Sequence, residues 1–493
     1  LQLRRIGVVG AGAMGAGIAQ LLAVNGFRVK LFDVAEGAAA RAIDRIDADL
    51  KALVGRNKLA DDKAREALER TAPASALEDF GDADLVIEAI VEDLSKKRDL
   101  FASLERSVAP GALLASNTSS LPIGAIASTL SAPERFAGMH FFNPAPVMRL
   151  VEIIPGPDTA PATVERLRQL AERLGRTPIE VKDAPGFVVN FGGRAYQTEA
   201  LATVHESVAT PAMVDAVMRD CCGFRMGPFE LMDFTGIDVG FPVTQFVHRS
   251  SFGDPRLRST PLHQYLYECG RFGRKSGVGF YDYREAGGSR EQRHAAAAEP
   301  ASRVALAEDN AVLAALVAEA GGVVADDDGD VPILGSPVGE DCTDYCVRLG
   351  LDARRTCAVD TIFHAQKRLT AMAAPGHDAA TVGAAVALLA QARPVTFIRD
   401  SAGFIAQRIV AMIANLGCEM AQTGLATPED IDKAMRLGLN YPRGPIEFAD
   451  HVGTERLLSL LQNMQRISGD DRYRPSLWLR RRALLGLSAA VAI

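Results

Sequence analysis

Ile6-Gly7-Val8-Val9-Gly10-Ala11-Gly12-Ala13-Met14-Gly15 decides the fold of the N-terminal part of this chain. Ile6-Gly7-Val8-Val9 reads as a buried strand, and the small-residue run 16–25 reads as a helix. Between them the glycines take the spacing Gly-x-Gly-x-x-Gly. Gly10 permits a tight turn, Gly12 lets the backbone approach a pyrophosphate, and Gly15 allows helix to pack closely on strand. Phosphates would then lie at a helix N-terminus, where unsatisfied N–H groups and the helix dipole favour negative charge. Gly10, Gly12, Ala13, Met14 and Gly15 are therefore a candidate dinucleotide cradle. Asp33 ends the next strand, 18 residues after Gly15. A carboxylate there accepts hydrogen bonds from both ribose hydroxyls and repels a 2′-phosphate, which selects NAD over NADP.

Outward from this loop, the spacing predicts strands over Arg28–Phe32, 85–89 and 112–115 and helical segments over 36–70 and 94–108. Strands alternating with helices imply βαβ crossovers, hence an α/β Rossmann domain with a doubly wound, mainly parallel sheet. After Gly186, Ala- and Leu-rich segments of helical period dominate, and all-α domains are expected. Lys182-Asp183-Ala184-Pro185-Gly186-Phe187-Val188-Val189 recurs as Arg399-Asp400-Ser401-Ala402-Gly403-Phe404-Ile405-Ala406, 217 residues on. Gly227-Pro228-Phe229-Glu230 recurs at the same offset of 217 as Gly444-Pro445-Ile446-Glu447. One gap-free offset for separate motifs implies that the helical domain is duplicated. The expected division is 1–184, 185–284, a linker at 285–299, a degenerate Rossmann-like segment at 300–399, and a second helical domain at 400–493. No Gly-x-Gly-x-x-Gly remains in 300–399, and Asp326-Asp327-Asp328-Gly329-Asp330 lacks calcium-loop spacing and reads as a solvated turn.

The 493 residues exceed what one hydrophobic core supports, and 48% apolar with 23% charged residues is an ordinary globular composition. A net charge of -7 argues against a nucleic-acid surface over the whole molecule, while leaving room for a local basic patch for a phosphorylated ligand. Seven cysteines without paired CxxC spacing fit a reducing cytosol, and no metal site is expected. The N-terminus runs straight into a strand, so no signal peptide is expected, and the apolar last ten residues are too short to span a bilayer.

Further on stand Ser116-Asn117-Thr118-Ser119-Ser120, Gly138-Met139-His140-Phe141-Phe142-Asn143-Pro144, Val151-Glu152-Ile153-Ile154 and Pro185-Gly186-Phe187-Val188-Val189-Asn190. These segments resemble the L-3-hydroxyacyl-CoA dehydrogenase family, from residue 5 to about 283. The resemblance implies helical domains of the 6-phosphogluconate-dehydrogenase-like type and an active site of Ser119, His140, Glu152 and Asn190. Oxidising a secondary alcohol needs a base for the hydroxyl proton as hydride leaves carbon, and histidine works near neutral pH in both directions. A carboxylate on the far ring nitrogen fixes the tautomer, a role suited to Glu152. Ser119 and Asn190 can hold the substrate oxygens.

The resemblance also implies that Glu92, Lys97 and Asn117 serve the cofactor and that Asn143 supports the substrate site. It assigns the coenzyme A end to the helical excursion after the second strand, where Lys51, Arg56 and Lys58 could meet phosphates. Asp49 departs from the family there, which usually has a small hydroxyl. In the second copy Gln407 replaces Asn190, and Asp360 and Ala371 lie near the positions of His140 and Glu152, so one NAD and one active site are expected. Two subunits pair through the helical domain in shorter members. Here either the duplicated domain supplies that contact within one chain, or copies of the chain pair. The leading expectation is reversible oxidation of a 3-hydroxyacyl-CoA; the rivals are a sugar-acid (gulonate-type) dehydrogenase and a crystallin-like NAD-binding protein without catalysis.

Overall fold

The computed structural model describes residues 3–284, 298–363 and 367–492, so the expected linker falls largely outside the described residues. The chain divides into an N-terminal unit, which ends at Phe191 and is completed by Gly424–Leu439, and a second unit, Gly192–Thr423 with the residues from Asn440 onward.

The N-terminal unit is built on eight strands: β1 (Arg5–Val9), β2 (Arg28–Phe32), β3 (Thr71–Pro73), β4 (Leu85–Glu88), β5 (Leu113–Ser116), β6 (Phe136–Phe141), β7 (Leu150–Pro155) and β8 (Thr177–Glu180). Their order is β3-β2-β1-β4-β5-β6-β7-β8, and every pair is parallel except β6 with β7. This is the doubly wound, mainly parallel sheet that the alternation predicts. Val8, Leu31, Leu85, Ile87 and Met139 are buried against Ile18 and Leu22 of the helix Ala13–Val24 and Ile46 of the helix Ala38–Gly55. Such continuous apolar strands need helical cover on the sheet. Strand order reverses between β2 and β4, and the loops after β1 and β4 part at that switch point. The helix Pro428–Leu439 also belongs to this unit and packs against β7 and β8. Here the Lys182 N–H donates to the Leu425 carbonyl at 2.8 Å.

The second unit holds a smaller sheet of β9 (Arg303–Leu306), β10 (Val323–Val324), β11 (Ile333–Gly335), β12 (Thr356–Val359), β13 (Leu369–Met372) and β14 (Val395–Ile398), in the order β10-β9-β11-β12-β13-β14. Its single antiparallel pair, β12 with β13, is followed by parallel β14, just as β6 and β7 are followed by β8. The remaining helices repeat: Pro211–Cys222 and Pro228–Thr235 recur 217 residues later as Pro428–Leu439 and Pro445–Val452. Each starts with proline, whose missing N–H is no loss in a first turn. The helix Pro211–Cys222 packs on β13 within this unit, as Pro428–Leu439 packs on β7 and β8 in the other.

Buried charge joins the two helical repeats inside the second unit. Arg408 donates to Glu199 at 2.8 Å and Arg472 to the same carboxylate at 3.1 Å, while Arg256 pairs with Glu419 at 3.0 Å in the reverse sense. None of the seven cysteines is in a disulfide, and six are buried. Residues 326–330 form an exposed loop in which Asp327 pairs with Arg355. Among the described residues no cluster of three metal-ligating side chains occurs, and no helix is long and apolar enough to cross a membrane.

His263 is buried in this unit; its Nδ1 meets the Ser259 hydroxyl at 3.0 Å, and its Nε2 has no hydrogen-bond partner among the described residues. Burial, with the Arg194 charge added, pushes the imidazole from 6.5 down to about 4. An unfolded chain takes up this proton below about pH 6.5 and the folded one only near pH 4. The stabilisation is therefore whole above pH 6.5 and is lost as pH falls through 4. It amounts to about 3 kcal/mol at 1.36 kcal/mol per unit. Urea unfolding between pH 7 and 4 checks this. The fall in stability should be shallower by that amount in His263→Gln, and equal slopes would reject the assignment.

Candidate active site

The glycine loop lies at the C-terminal end of β1. Gly10 has φ near +105°, and a Cβ on it would stand 2.4 Å from the Ala89 carbonyl oxygen. A Cβ on Gly15 would stand 1.8 Å from the Gly10 carbonyl oxygen, so strand and helix touch there through bare backbone. Gly12 is different: a Cβ on it would meet nothing within 4 Å. As N-cap of the helix Ala13–Val24 it supplies no side-chain hydrogen bond to the first turn, whose N–H groups face the cleft uncapped. The Asp33 carboxylate accepts from the Ala11 N–H at 2.7 Å and the Ala35 N–H at 2.9 Å, which fixes it at the end of β2. A cleft of about 690 Å³ is lined by Gly12, Ala13, Asp33, Arg41, Arg45 and Asn143, among others. An open glycine, an uncapped helix N-terminus and a held carboxylate fit a dinucleotide.

The predicted catalytic residues fall on separate elements that hydrogen bonds draw together. His140, on β6, stands opposite Glu152, on β7, in the antiparallel register. Its Nδ1 lies 2.7 Å from Glu152 Oε2, and both residues are buried. A carboxylate only accepts, so Nδ1 carries the hydrogen, and in the neutral imidazole the lone pair is then on Nε2. The second oxygen of Glu152 accepts from the Val188 and Val189 N–H groups at 3.0 and 3.1 Å. These belong to a tight turn in which Gly186 and Phe187 have φ near +78° and +50°. The turn leads to Asn190, whose Nδ2 donates to the Ser119 carbonyl at 3.3 Å. The set is thus one hydrogen-bonded frame running from His140 through Glu152 and 188–190 to Ser119.

Glu92, Lys97 and Asn117 hold this frame from the other side. Glu92 Oε1 accepts from the Thr118 hydroxyl at 2.6 Å, the Ser119 N–H at 3.0 Å and the Ser120 hydroxyl at 2.8 Å. Burial opposes charge on Glu92, yet Lys97 and the Thr118 and Ser120 hydroxyls together hold it below the usual carboxylate range. Lys97 is buried, with its ammonium between Glu88 at 2.5 Å and Glu92 at 3.2 Å. Asn117 Oδ1 accepts from the Phe141 N–H at 2.8 Å, next to His140.

The basic residues divide differently. Lys51, Arg56 and Lys58 are exposed around the C-terminal end of the helix Ala38–Gly55, and Lys51 pairs with Asp47 at 2.7 Å. None of the three lines the cleft, whereas Arg41, Arg45 and Asp49 do, and Arg45 donates to the Ala11 carbonyl at 2.8 Å. Sequence reading passed over Arg41 and Arg45, although their spacing of four, continued by Asp49, sets all three on one helical face. It also passed over Glu88, whose second oxygen accepts from the Ser116 hydroxyl at 2.6 Å.

In the second unit the equivalent positions are closed. Asn310 caps the helix Ala311–Glu319 by accepting from the N–H groups of Val312 and Leu313, both at 3.1 Å, so its first turn is satisfied internally. The 217-residue offset carries Ile179, the partner of Glu152, to Thr396, the partner of Thr370. Thr370, one residue before Ala371, therefore stands where Glu152 does. Asp360, whose N–H donates to the Thr370 carbonyl at 2.9 Å, stands where His140 does. Gln407, in the place of Asn190, donates to Asp360 at 3.1 Å.

Comparison with known proteins agrees with this geometry. The NAD-binding domain of 3-hydroxyacyl-CoA dehydrogenase matches residues 5–184, and the C-terminal domain of the same family matches twice, at 186–283 and 403–489. The 3-hydroxyadipyl-CoA dehydrogenase of Escherichia coli (strain K12) is 40% identical over 98% of both chains. The 3-hydroxybutyryl-CoA dehydrogenase of Bradyrhizobium diazoefficiens is 38% identical over 58% of this chain and 97% of its own. A crystal structure of 3-hydroxybutyryl-CoA dehydrogenase from Escherichia coli K12 superposes with a TM-score of 0.88 at 39% identity, covering 99% of both chains. With a matching NAD-binding domain, two matching C-terminal segments and full-length relatives, this chain belongs to the 3-hydroxyacyl-CoA dehydrogenase family.

Proposed function

We propose that this chain catalyses the reversible NAD-dependent oxidation of an (S)-3-hydroxyacyl-CoA to the 3-oxoacyl-CoA, with His140 as the base. The 2.7 Å contact between His140 and Glu152, beside a glycine loop left open at Gly12, carries this reading. His140 Nε2 takes the hydroxyl proton, and Glu152 stabilises the imidazolium that forms. Ser119 and Asn190 hold the substrate oxygens so that the reacting carbon is oriented. NAD, when bound, supplies the hydride acceptor. Gly10, Gly12, Ala13, Met14 and Gly15 would hold its pyrophosphate, and Asp33 its adenosine ribose. Glu92, Lys97 and Asn117 serve that side of the site by holding the loop of Ser119. Arg41 and Arg45, with Asn143, offer charge and hydrogen bonds to the coenzyme A end, and Lys51, Arg56 and Lys58 add a more distant basic fringe.

One NAD and one catalytic site per chain are supported by the capped helix at Asn310 and the Asp360, Thr370 and Gln407 replacements. The domain lines proposed are 1–184, 185–284 and 400–493 around a Rossmann-like segment at 300–399. Seven cysteines without a disulfide support a cytosolic setting. Exposed Phe234, Val239 and Phe252 support pairing of two copies through the helical domains.

The direct test is NADH consumption with acetoacetyl-CoA, with 3-oxoadipyl-CoA as a dicarboxylic companion and gulonate with NAD as a control. Turnover of either acyl-CoA is expected, and turnover of gulonate alone would reject the proposal.

A further inference from the structure

We infer that Gly438, in the second helical repeat, is a positioning residue for the His140–Glu152 pair. The inference rests on the catalytic reading proposed above.

Gly438 is the penultimate residue of the helix Pro428–Leu439, which is part of the N-terminal unit and packs on β7 and β8. A Cβ on it would lie 3.0 Å from Val189 Cγ2 and 3.2 Å from Leu150 Cδ2. Leu150 begins β7, the strand of Glu152, and the N–H of Val189 is one of the two that fix Glu152 Oε1. Val189 is also the residue before Asn190, which reaches the Ser119 carbonyl. The bare backbone at Gly438 thus sets how far Val189 sits from the sheet, and through it the orientation of Glu152 and the tautomer of His140.

At the corresponding positions of the other half of the chain the residue sizes are exchanged. At the 217-residue offset, Gly438 corresponds to Cys221 and Val189 to Ala406. The larger Val189 goes with glycine at 438, and the smaller Ala406 goes with cysteine at 221. The half that retains the histidine and glutamate is the one that combines Val189 with Gly438. The second repeat therefore contributes to catalysis by supplying this buttress, although its own copy of the site has lost the reacting groups.

The test uses the full chain carrying Gly438→Ala, Val189→Ala or both, assayed with acetoacetyl-CoA and NADH and by thermal unfolding. Alanine favours a helix over glycine, so a purely structural role predicts an unchanged or higher Tm and unchanged turnover. The inference instead predicts that Gly438→Ala lowers kcat about fivefold, the scale of a weakened hydrogen bond, with both KM values within about twofold and Tm not reduced. In the double variant kcat returns to that of Val189→Ala alone, because the methyl lost at 189 makes room for the one gained at 438. Wild-type kcat in Gly438→Ala, or the same fivefold loss persisting in the double variant, would overturn it. His140→Gln separates the two failures. If that variant is inactive while Gly438→Ala is fully active, the buttress is wrong and the base assignment stands. If His140→Gln retains full activity, the base assignment falls and takes this inference with it.

Discussion

His140→Gln is expected to lower kcat by about three orders of magnitude, the scale of a positioned general base, with NADH affinity unchanged within about twofold. The variant keeps a polar side chain of similar size but has no group that takes up a proton near neutral pH. Glu152→Gln should cost nearly as much, for a different reason. The Val188 and Val189 N–H groups both point at Oε1 and select the carbonyl oxygen of an amide there. The amide NH2 must then face His140 Nδ1, which becomes the acceptor and leaves the ring hydrogen on Nε2. A ring in that tautomer cannot take the substrate proton. Stopped-flow single turnovers with acetoacetyl-CoA, alongside fluorescence titration of NADH, separate the chemical step from binding. A loss of less than about tenfold in both variants would remove the pair from the chemistry.

The parts of this fold legible in the sequence were those fixed by local pattern. β1, β2, β4 and β5 fall where short apolar runs are bounded by charged helical stretches, within a residue of their expected limits. β3 escaped notice because it is three residues long and contains Pro73, which suits only a sheet edge. β6 and β7 were hidden for a different reason. Their segments carry His140, Phe142 and Glu152, whose chemistry attracts more attention than the period-two pattern, and the antiparallel register that sets His140 opposite Glu152 is not written in either strand alone. The site followed the same division. Gly10, Gly12, Gly15 and Asp33 belong to one βαβ unit and can be read from spacing, whereas Glu88 acquires a role only when β4 and β5 align and Ser116 reaches it. Gly438 lies beyond any local pattern, because its significance depends on its helix, 249 residues on from Val189 at Gly438 itself, packing against the same sheet.

The assignments of Lys51, Arg56 and Lys58 against Arg41 and Arg45 illustrate a further limit. Charge alone favours the residues near the end of the helix Ala38–Gly55, where cations are most numerous. Direction decides which of them line the cleft: residues 41, 45 and 49 share one face, and that face turns toward the glycine loop, where Arg45 donates to the Ala11 carbonyl. The acid at position 49 then lies among two arginines at the cleft, so its charge bears on any phosphate held there. A periodicity count over the helix identifies the face, but only the tertiary structure identifies the face's neighbour.

The largest effect on cofactor binding is expected from Gly12→Thr, and the three glycines of the loop should differ in a way that reports what each one does. Gly12 has extended backbone angles, φ near -69° and ψ near -173°, that threonine adopts readily, and a Cβ there meets no protein atom within 4 Å. Threonine and glycine are also comparable N-caps, so the fold has little reason to object. The added side chain instead fills the space that the pyrophosphate must enter to reach the first-turn N–H groups. Loss of two hydrogen bonds to a charged group, at about 1.5 kcal/mol each, corresponds to about a hundredfold weaker NADH binding. Gly15→Ala is expected to behave in the opposite sense, since its methyl would lie 1.8 Å from the Gly10 carbonyl oxygen, and the strand and helix must separate. Its primary defect should be a lowered Tm, with cofactor affinity falling as a consequence. Calorimetric titration of NADH and thermal unfolding, applied to both variants, distinguish a blocked ligand from a broken turn. NADH binding of parental strength in Gly12→Thr would mean that the pyrophosphate does not lie over this loop, and the cofactor site would have to be sought elsewhere along the switch point.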